Sequence, residues 1–176
     1  AMPKSIRMLL VANRSEIAIR IMRGATELGV ATVAVYAEED KYGLHRFKAD
    51  ESYLIGEGMG PVAAYLSIEE VIRVALAAGV DAIHPGYGFL SENADFAEAC
   101  AAAGLIFIGP PPGVMRALGN KVSARNLAEA AGVQVMPATI PLPEDPAEIA
   151  RLAKAVGLPV MPKASWGGGG RGMRVI

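Results

Sequence analysis

Apolar positions along this chain follow two periods in turn. Met8-Leu-Leu-Val-Ala12 is a short continuous apolar run, the signature of a strand buried on both faces. It gives way to helical spacing, with Ile17, Ile21 and Leu28 on one face. Ser15 is placed to cap that helix and Gly29 to end it. Ala31–Tyr36, rich in valine and threonine, predicts a second strand. Ser67 and Glu70 have capping-box spacing ahead of a helix that carries Ile68, Val71, Ile72 and Ala75 and stops at Gly79. Asp81-Ala-Ile-His84 predicts the next strand, residues 94–103 a helix and residues 105–108 a further strand. This order implies an α/β fold: an open, mostly parallel, Rossmann-like sheet with helices on both faces.

The pattern changes at Gly109-Pro-Pro-Pro-Gly113, a turn punctuated by three prolines and two glycines. A domain boundary is expected between it and Lys121, dividing the chain into 1–115 and 116–176. Beyond it the spacing predicts a helix over 122–131, a strand near 133–136, a proline-rich connection over 137–146 and a helix over 147–156. The run 158–165 leads into a glycine-rich loop and then Met173-Arg-Val-Ile176, which reads as a hairpin. A lone hairpin is marginal in water, so the second domain is expected to be incomplete.

Composition narrows the class. Of 176 residues, 52% are hydrophobic and 20% charged, with a net charge of -1. That supports a packed core and gives no single-sign field for nucleic acid or a membrane surface. A small-molecule partner is the expectation. The single cysteine, Cys100, lies among alanines and reads as a buried apolar residue. It excludes an intrachain disulfide and suits a reducing, cytoplasmic compartment. His45 and His84 lack metal-ligand spacing.

Candidate chemistry begins at Ser165-Trp-Gly-Gly-Gly-Gly-Arg-Gly172. Four glycines let backbone N–H groups approach an anion and let the loop close over it. Alone, the same run also describes a flexible linker. The loop has no Gly-Lys-Ser/Thr leading into a helix, so it is not a Walker A loop. The first strand–helix turn, Val11-Ala-Asn-Arg-Ser-Glu16, has no glycine and cannot supply a dinucleotide fingerprint. Lys163 before the loop and Lys121 at the domain entrance are single cations suited to phosphate contacts. His84-Pro-Gly-Tyr-Gly-Phe-Leu-Ser-Glu-Asn93 follows a buried strand, where α/β sheets bind ligands. The same segment is equally a structural turn with a helix cap at Ser91 or Asn93. Arg14, Glu16, Arg20, Arg23 and Glu27 form a charged face on the first helix. Its pairs at four-residue spacing either brace the helix or form a two-fold contact.

Six segments together carry a resemblance: LLVANRSEIAIRI, KADESY, DAIHPGYGFLSEN, FIGPPP, GNKVSARNLAEAAGV and KASWGGGGRGMRVI. With them in this order, the chain resembles the biotin carboxylase family of ATP-grasp enzymes from its first strand to its last residue. Within the family, HRFKADESY, GPVAAYLSIEEVIRVA and ASWGGGGRGMRVI are most similar to the bacterial pyruvate carboxylases. The resemblance implies a pre-ATP-grasp domain over 1–115 and the truncated start of an ATP-grasp domain over 116–176. It implies an ATP-dependent ligase in which MgATP and bicarbonate carboxylate biotin on a carrier domain. The carboxyl group then passes to pyruvate to give oxaloacetate, in the service of anaplerosis and gluconeogenesis. The implied partners are the biotin carboxyl carrier and carboxyltransferase domains of the parent enzyme, in a homo-oligomer.

Residue by residue, the resemblance assigns ATP contacts to Lys121 and Lys163 and the lid to Gly167, Gly168, Gly169 and Gly170. Tyr87 and Gly88 match the biotin side of the cleft, and Arg23 and Glu27 match a dimer contact. The family's magnesium ligands, general base and bicarbonate and biotin arginines fall beyond Ile176. No catalytic or metal-binding residue is therefore assigned, and the fragment alone is expected to be inactive. Pro162 stands at a strand position that is usually aliphatic in the family, and proline donates no ladder hydrogen bond. The alternatives are the biotin carboxylase of an acetyl-CoA or propionyl-CoA carboxylase, a non-catalytic assembly or dimerisation module, or a different ATP-grasp ligase.

Overall fold

The computed structural model describes residues 5–139 and 141–163. It divides into two compact units, Ala1–Met115 and Arg116–Ile176. The first holds a five-stranded sheet of β1 (Met8–Val11), β2 (Ala31–Tyr36), β3 (Glu51–Leu54), β4 (Ala82–His84) and β5 (Ile106–Phe107), in the order β3-β2-β1-β4-β5. Every pairing is parallel, the arrangement that requires cover on both faces. Successive β1 residues supply it in alternation. Leu10 packs with Val33, Val35 and Ile83 on one side, while Leu9 and Val11 pack with Ala34 and Ala82 on the other.

Helix α1 (Ser15–Glu27) covers the second face with Ala18, Met22 and Ala25. The first face receives α2 (Pro61–Leu66), α3 (Ile68–Ala78) and α4 (Ala94–Ala102), chiefly through Tyr65, Val71, Val74, Phe96 and Cys100. Cys100 is buried, which pushes its thiol up to about 11, so it is a core residue rather than a nucleophile. The α/β class and the strands at 8–12, 31–36, 81–84 and 105–108 are all present within a residue or two. The edge strand β3, helix α2, helix α5 (Pro112–Gly119) and two 3-10 turns, Glu38–Asp40 and Leu44–Lys48, have no counterpart in the sequence pattern.

Ser15 corrects an expectation. Arg14, not Ser15, is the cap residue of α1, and no side chain caps the helix. Ser15 instead sits at φ 55, in the left-handed region that disfavours side chains. Ser15→Gly is expected to raise stability by about 0.5 kcal/mol, relief of strain exceeding the added freedom of the unfolded chain. A lower urea midpoint for the variant would contradict this.

The capping box at α3 is half formed. Ser67 Oγ accepts from Glu70 N at 3.3 Å. The Glu70 carboxylate does not return to Ser67 but accepts from Arg73 at 2.8 Å and from Gly56 N at 3.0 Å. Arg73 first, and then the Gly56 N–H, hold the Glu70 carboxyl down at about 2. A carboxyl lower in the folded state than the ordinary 4.5 adds stability above that value and loses it as pH falls towards 2. Because the pair is largely solvated, Glu70→Gln is expected to cost only about 1 kcal/mol at neutral pH. The difference from wild type should shrink in denaturant melts as pH falls below 4.5. Asn93, the alternative to Ser91, caps α4 by accepting from Phe96 N at 3.0 Å.

In the second unit, α6 (Lys121–Ala130) is capped by Asn120 and α7 (Pro146–Val156) by Asp145. The strand expected near 133–136 is absent: those residues are irregular, and Met136 is 82% exposed. The Met136 carbonyl instead accepts from the Arg125 guanidinium, which also pairs with Glu129. Valine-rich composition favours a strand only where a neighbour completes its hydrogen bonds. Of the expected run 158–165, the described residues hold a single bridge position at Lys163. Pro159 and Pro162 lack the N–H that a longer ladder needs.

Candidate active-site pocket

The sheet's connections reverse beside β1: β2 and β3 lie to one side, β4 and β5 to the other. Such a switch point leaves a crevice beyond the carboxyl ends of the two strands. A pocket of about 290 Å³ occupies it, with residues 13–17 on one wall and 87–89 on the other. The first wall is the turn from β1 into α1. The second is the loop that follows β4.

Three residues of that second loop, Gly86, Gly88 and Phe89, take left-handed conformations at φ 66, 67 and 41. The turn therefore selects glycine at two positions and strains the third. His84 anchors its start: Nδ1 accepts from Gly86 N at 3.0 Å, which places the ring proton on Nε2. Burial lowers the pKa of His84 and favours this neutral form. Asn13 anchors the middle. Its amide nitrogen donates to Pro85 O at 2.7 Å and to Tyr87 O at 2.8 Å. A Cβ on Gly86 would meet that nitrogen at 2.7 Å.

Tyr87 is 61% exposed at the pocket mouth. Its hydroxyl donates to the Glu16 carboxylate, a bond that raises the phenol's pKa. Deeper, Arg14 donates to Asp40 at 3.0 Å, and Tyr65 donates to the same Asp40 oxygen at 2.8 Å. The guanidinium lies 5.7 Å from the Tyr65 ring and 6.0 Å from the Phe89 ring. Those two rings stack at 5.0 Å. Burial opposes the charge on Asp40, but Tyr65 and Arg14 outweigh it and hold the carboxyl below its ordinary value. Burial, and then Asp40, push the Tyr65 phenol well up.

Of the residues singled out from sequence, Tyr87 and Gly88 line this pocket. Arg23 and Glu27 are exposed on α1. Among the described residues, neither Arg23–Glu27 nor Glu16–Arg20 closes as an ion pair, and Glu16 serves Tyr87 instead. Lys121 opens α6 and Lys163 is the bridge residue, both exposed in the second unit. Gly167, Gly168, Gly169 and Gly170 lie outside the described residues. Sequence reasoning missed Asn13, and it read Glu16 as part of either a helix brace or a two-fold contact. The available signal was an asparagine at the carboxyl end of a buried strand. No group of three or more His, Cys, Asp or Glu side chains that could hold a metal is present among the described residues. No helix among them is long and apolar enough to cross a membrane.

Comparison with known proteins decides the family. Residues 5–115 match the biotin carboxylase N-terminal domain. The chain belongs to the biotin carboxylase family. Residues 120–176 match the ATP-binding domain of the carbamoyl-phosphate synthase L chain. Over 173 residues the chain is 57% identical to the mitochondrial pyruvate carboxylase of Rattus norvegicus and 53% identical to the pyruvate carboxylase of Bacillus subtilis. In each case 98% of this chain is covered but 15% of the relative, so the chain spans a small part of their length.

Solved structures agree on the biotin carboxylase fold. The Rhizobium etli pyruvate carboxylase with its allosteric activator acetyl coenzyme A matches at 64% identity and a TM-score of 0.90, over 98% of this chain and 16% of that one. The biotin carboxylase domain dimer of the Hydrogenobacter thermophilus 2-oxoglutarate carboxylase, in complex with MgADP, ADP and bicarbonate, matches at 44% identity and a TM-score of 0.91. It covers 98% of this chain and 38% of that one.

Proposed function

We propose that this chain is the N-terminal part of the biotin carboxylase of an ATP-dependent ligase, and specifically of a pyruvate carboxylase. The observation that carries the reading is the succession of two family matches, biotin carboxylase N-terminal domain and then ATP-binding domain, along one chain. The parent enzyme uses MgATP and bicarbonate to carboxylate biotin on a carrier domain. A carboxyltransferase domain then passes the carboxyl group to pyruvate, giving oxaloacetate. Pyruvate is favoured as acceptor because identity is 52–64% to the pyruvate carboxylases but 40–44% to the 2-oxoglutarate carboxylases. Residues 1–115 form the pre-ATP-grasp domain and 116–176 begin the ATP-grasp domain. The two compact units and the limits of the family matches support this division.

Each part has a role. The pocket at the sheet's switch point takes the biotin ring beside Tyr87 and Gly88. Its volume of about 290 Å³ suits a small bicyclic ligand, and its loop sets backbone polar groups beside an aromatic face. Lys121 and Lys163 neutralise nucleotide phosphates, the main protein contribution to phosphoryl transfer. The loop of Gly167, Gly168, Gly169 and Gly170 closes over them and excludes water. Magnesium, which neutralises phosphate charge when bound, has no ligand set among the described residues. Arg23 and Glu27, exposed on one helix, form the homo-oligomer contact, in keeping with a relative whose biotin carboxylase domain is a dimer. The buried, reduced Cys100 is in keeping with a reducing compartment such as the cytoplasm.

The test uses the full-length enzyme that contains this chain. ATP cleavage is expected to require bicarbonate and to rise with free biotin. Lys163→Ala is expected to raise the KM for ATP about ten-fold, the loss of one charge-assisted phosphate contact. ATP cleavage indifferent to bicarbonate and biotin would sink the reading. An unchanged KM in the variant would remove Lys163 from the ATP site.

A further inference from the structure

One side chain joins the pocket's two walls, with all of its polar atoms engaged inside the protein. Asn13 is 3% exposed. Both amide hydrogens are committed, to Pro85 O at 2.7 Å and to Tyr87 O at 2.8 Å. Its carbonyl oxygen accepts from Arg14 N at 2.9 Å. The partners lie 72 and 74 residues away in the chain, so one carboxamide joins the end of β1 to the loop after β4. Ala12 N, donating to His84 O at 2.9 Å, fixes the strand ends on which that bridge is built. Gly86 leaves room for it, since any Cβ there would strike the Asn13 amide.

We infer that Asn13 is a positioning residue for carboxylation of biotin: it sets the carbonyls of Pro85 and Tyr87, and through them the placement of Tyr87 and Gly88 against the biotin ring. The inference rests on the reading of this pocket as the biotin side of the site. The chemistry is specific to a carboxamide. Two carbonyl oxygens require two donors from one atom, which asparagine supplies and an ionised aspartate of the same shape does not. Near-attack geometry tolerates little displacement, and about 1 Å of misplacement costs on the order of 100-fold in rate. The bridge is built from Asn13, Arg14, Pro85 and Tyr87 alone, whereas the nucleotide contacts are proposed for Lys121 and Lys163, so nucleotide affinity is expected to be independent of it.

The full-length enzyme is assayed for bicarbonate-dependent ATP cleavage with free biotin varied. Asn13→Asp sets an oxygen against the carbonyl oxygens of Pro85 and Tyr87. Its KM for biotin is expected to rise on the order of 10- to 100-fold while the KM for ATP stays within about two-fold. Burial among carbonyls raises the new carboxyl's pKa, and once protonated it donates one hydrogen bond again. The biotin defect should therefore be larger at about pH 8 than at about pH 6. Gly86→Ala displaces the same amide from the loop side and should give the biotin defect without the pH dependence. The double variant should be less than additive, because both act on one contact. A biotin KM unchanged in both variants overturns the inference, as does a parallel rise in the ATP KM, which would mark a general loss of structure. If wild-type enzyme shows no biotin-stimulated ATP cleavage, the reading of the pocket fails, and this inference with it.

Discussion

Phe96→Ala is expected to destabilise the first unit by about 3–5 kcal/mol, the range for removing a fully buried aromatic side chain. Phe96 is 0% exposed and meets the Phe107 ring edge-on at 5.8 Å and 86°. It belongs to the larger core cluster, with Leu10, Val33 and Ile83 from three adjacent strands. Its removal leaves a void that rigid strands cannot collapse to fill, so the cavity penalty adds to the lost transfer energy. Phe96 N is also the donor to the Asn93 cap. Loosening this turn therefore loosens the far end of the segment that carries Tyr87. Urea melts followed by circular dichroism measure the loss, with Leu28→Ala, at an 81% exposed position, as a control expected to change stability by less than about 0.5 kcal/mol. Equal midpoints for the two variants would show that the core is not centred where the packing places it.

The same core explains why most of the fold could be read from the sequence. β1, β2 and β4 lie in the interior of a parallel sheet, so both faces demand apolar residues and the runs are unmistakable. β3 is an edge strand, and its Glu51-Ser-Tyr-Leu54 carries no apolar run because the sheet covers only part of it. α2 spans only Pro61–Leu66 and is too short to display a helical period. The strand expected at 133–136 fails for the opposite reason: local propensity was present, but no strand among the described residues receives it. At Ser15, preference for a cap residue lost to the path of the turn into α1, which puts that position at positive φ.

The site divides in a similar way. The segment of Tyr87 and Gly88 stood out because glycines straddle an aromatic residue directly after a buried strand. That pattern fits a structural turn equally well, and it was the family resemblance that matched the two residues to the biotin side of the cleft. Asn13 was not, because a single polar residue at a strand end has no periodicity, and its meaning lies in carbonyls more than 70 residues away. Glu16 was misassigned because four-residue spacing identifies which side chains are near one another along a helix, not which outside group competes for them. Here the Tyr87 hydroxyl takes the carboxylate.

Asp40→Ala should be the second most damaging change, costing about 3 kcal/mol, although Asp40 lies in a 3-10 turn rather than the core. One carboxylate oxygen accepts from Arg14 at 3.0 Å and from Tyr65 at 2.8 Å. Removing it leaves the hydroxyl proton of a tyrosine that is 1% exposed without its acceptor, although the oxygen still accepts from Ala37 N at 3.3 Å, and leaves a guanidinium facing two aromatic rings without its counter-charge. A buried group deprived of its partner costs about 1–3 kcal/mol, more when a charge is involved. Tyr65→Phe removes only the donor and should cost about 1 kcal/mol, and its effect should nearly vanish in the Asp40→Ala background. Acid should mimic the substitution. Asp40 titrates below its ordinary value in the folded state, so its contribution is present above that value and is lost as pH falls through the lowered one. The loss also reaches the pocket, because Phe89 is held by its stack on Tyr65. In the full-length enzyme, Asp40→Ala should therefore raise the KM for biotin more than the KM for ATP. A cost below about 1 kcal/mol with independent effects of Tyr65 and Asp40 would show that solvent, not this network, satisfies Arg14.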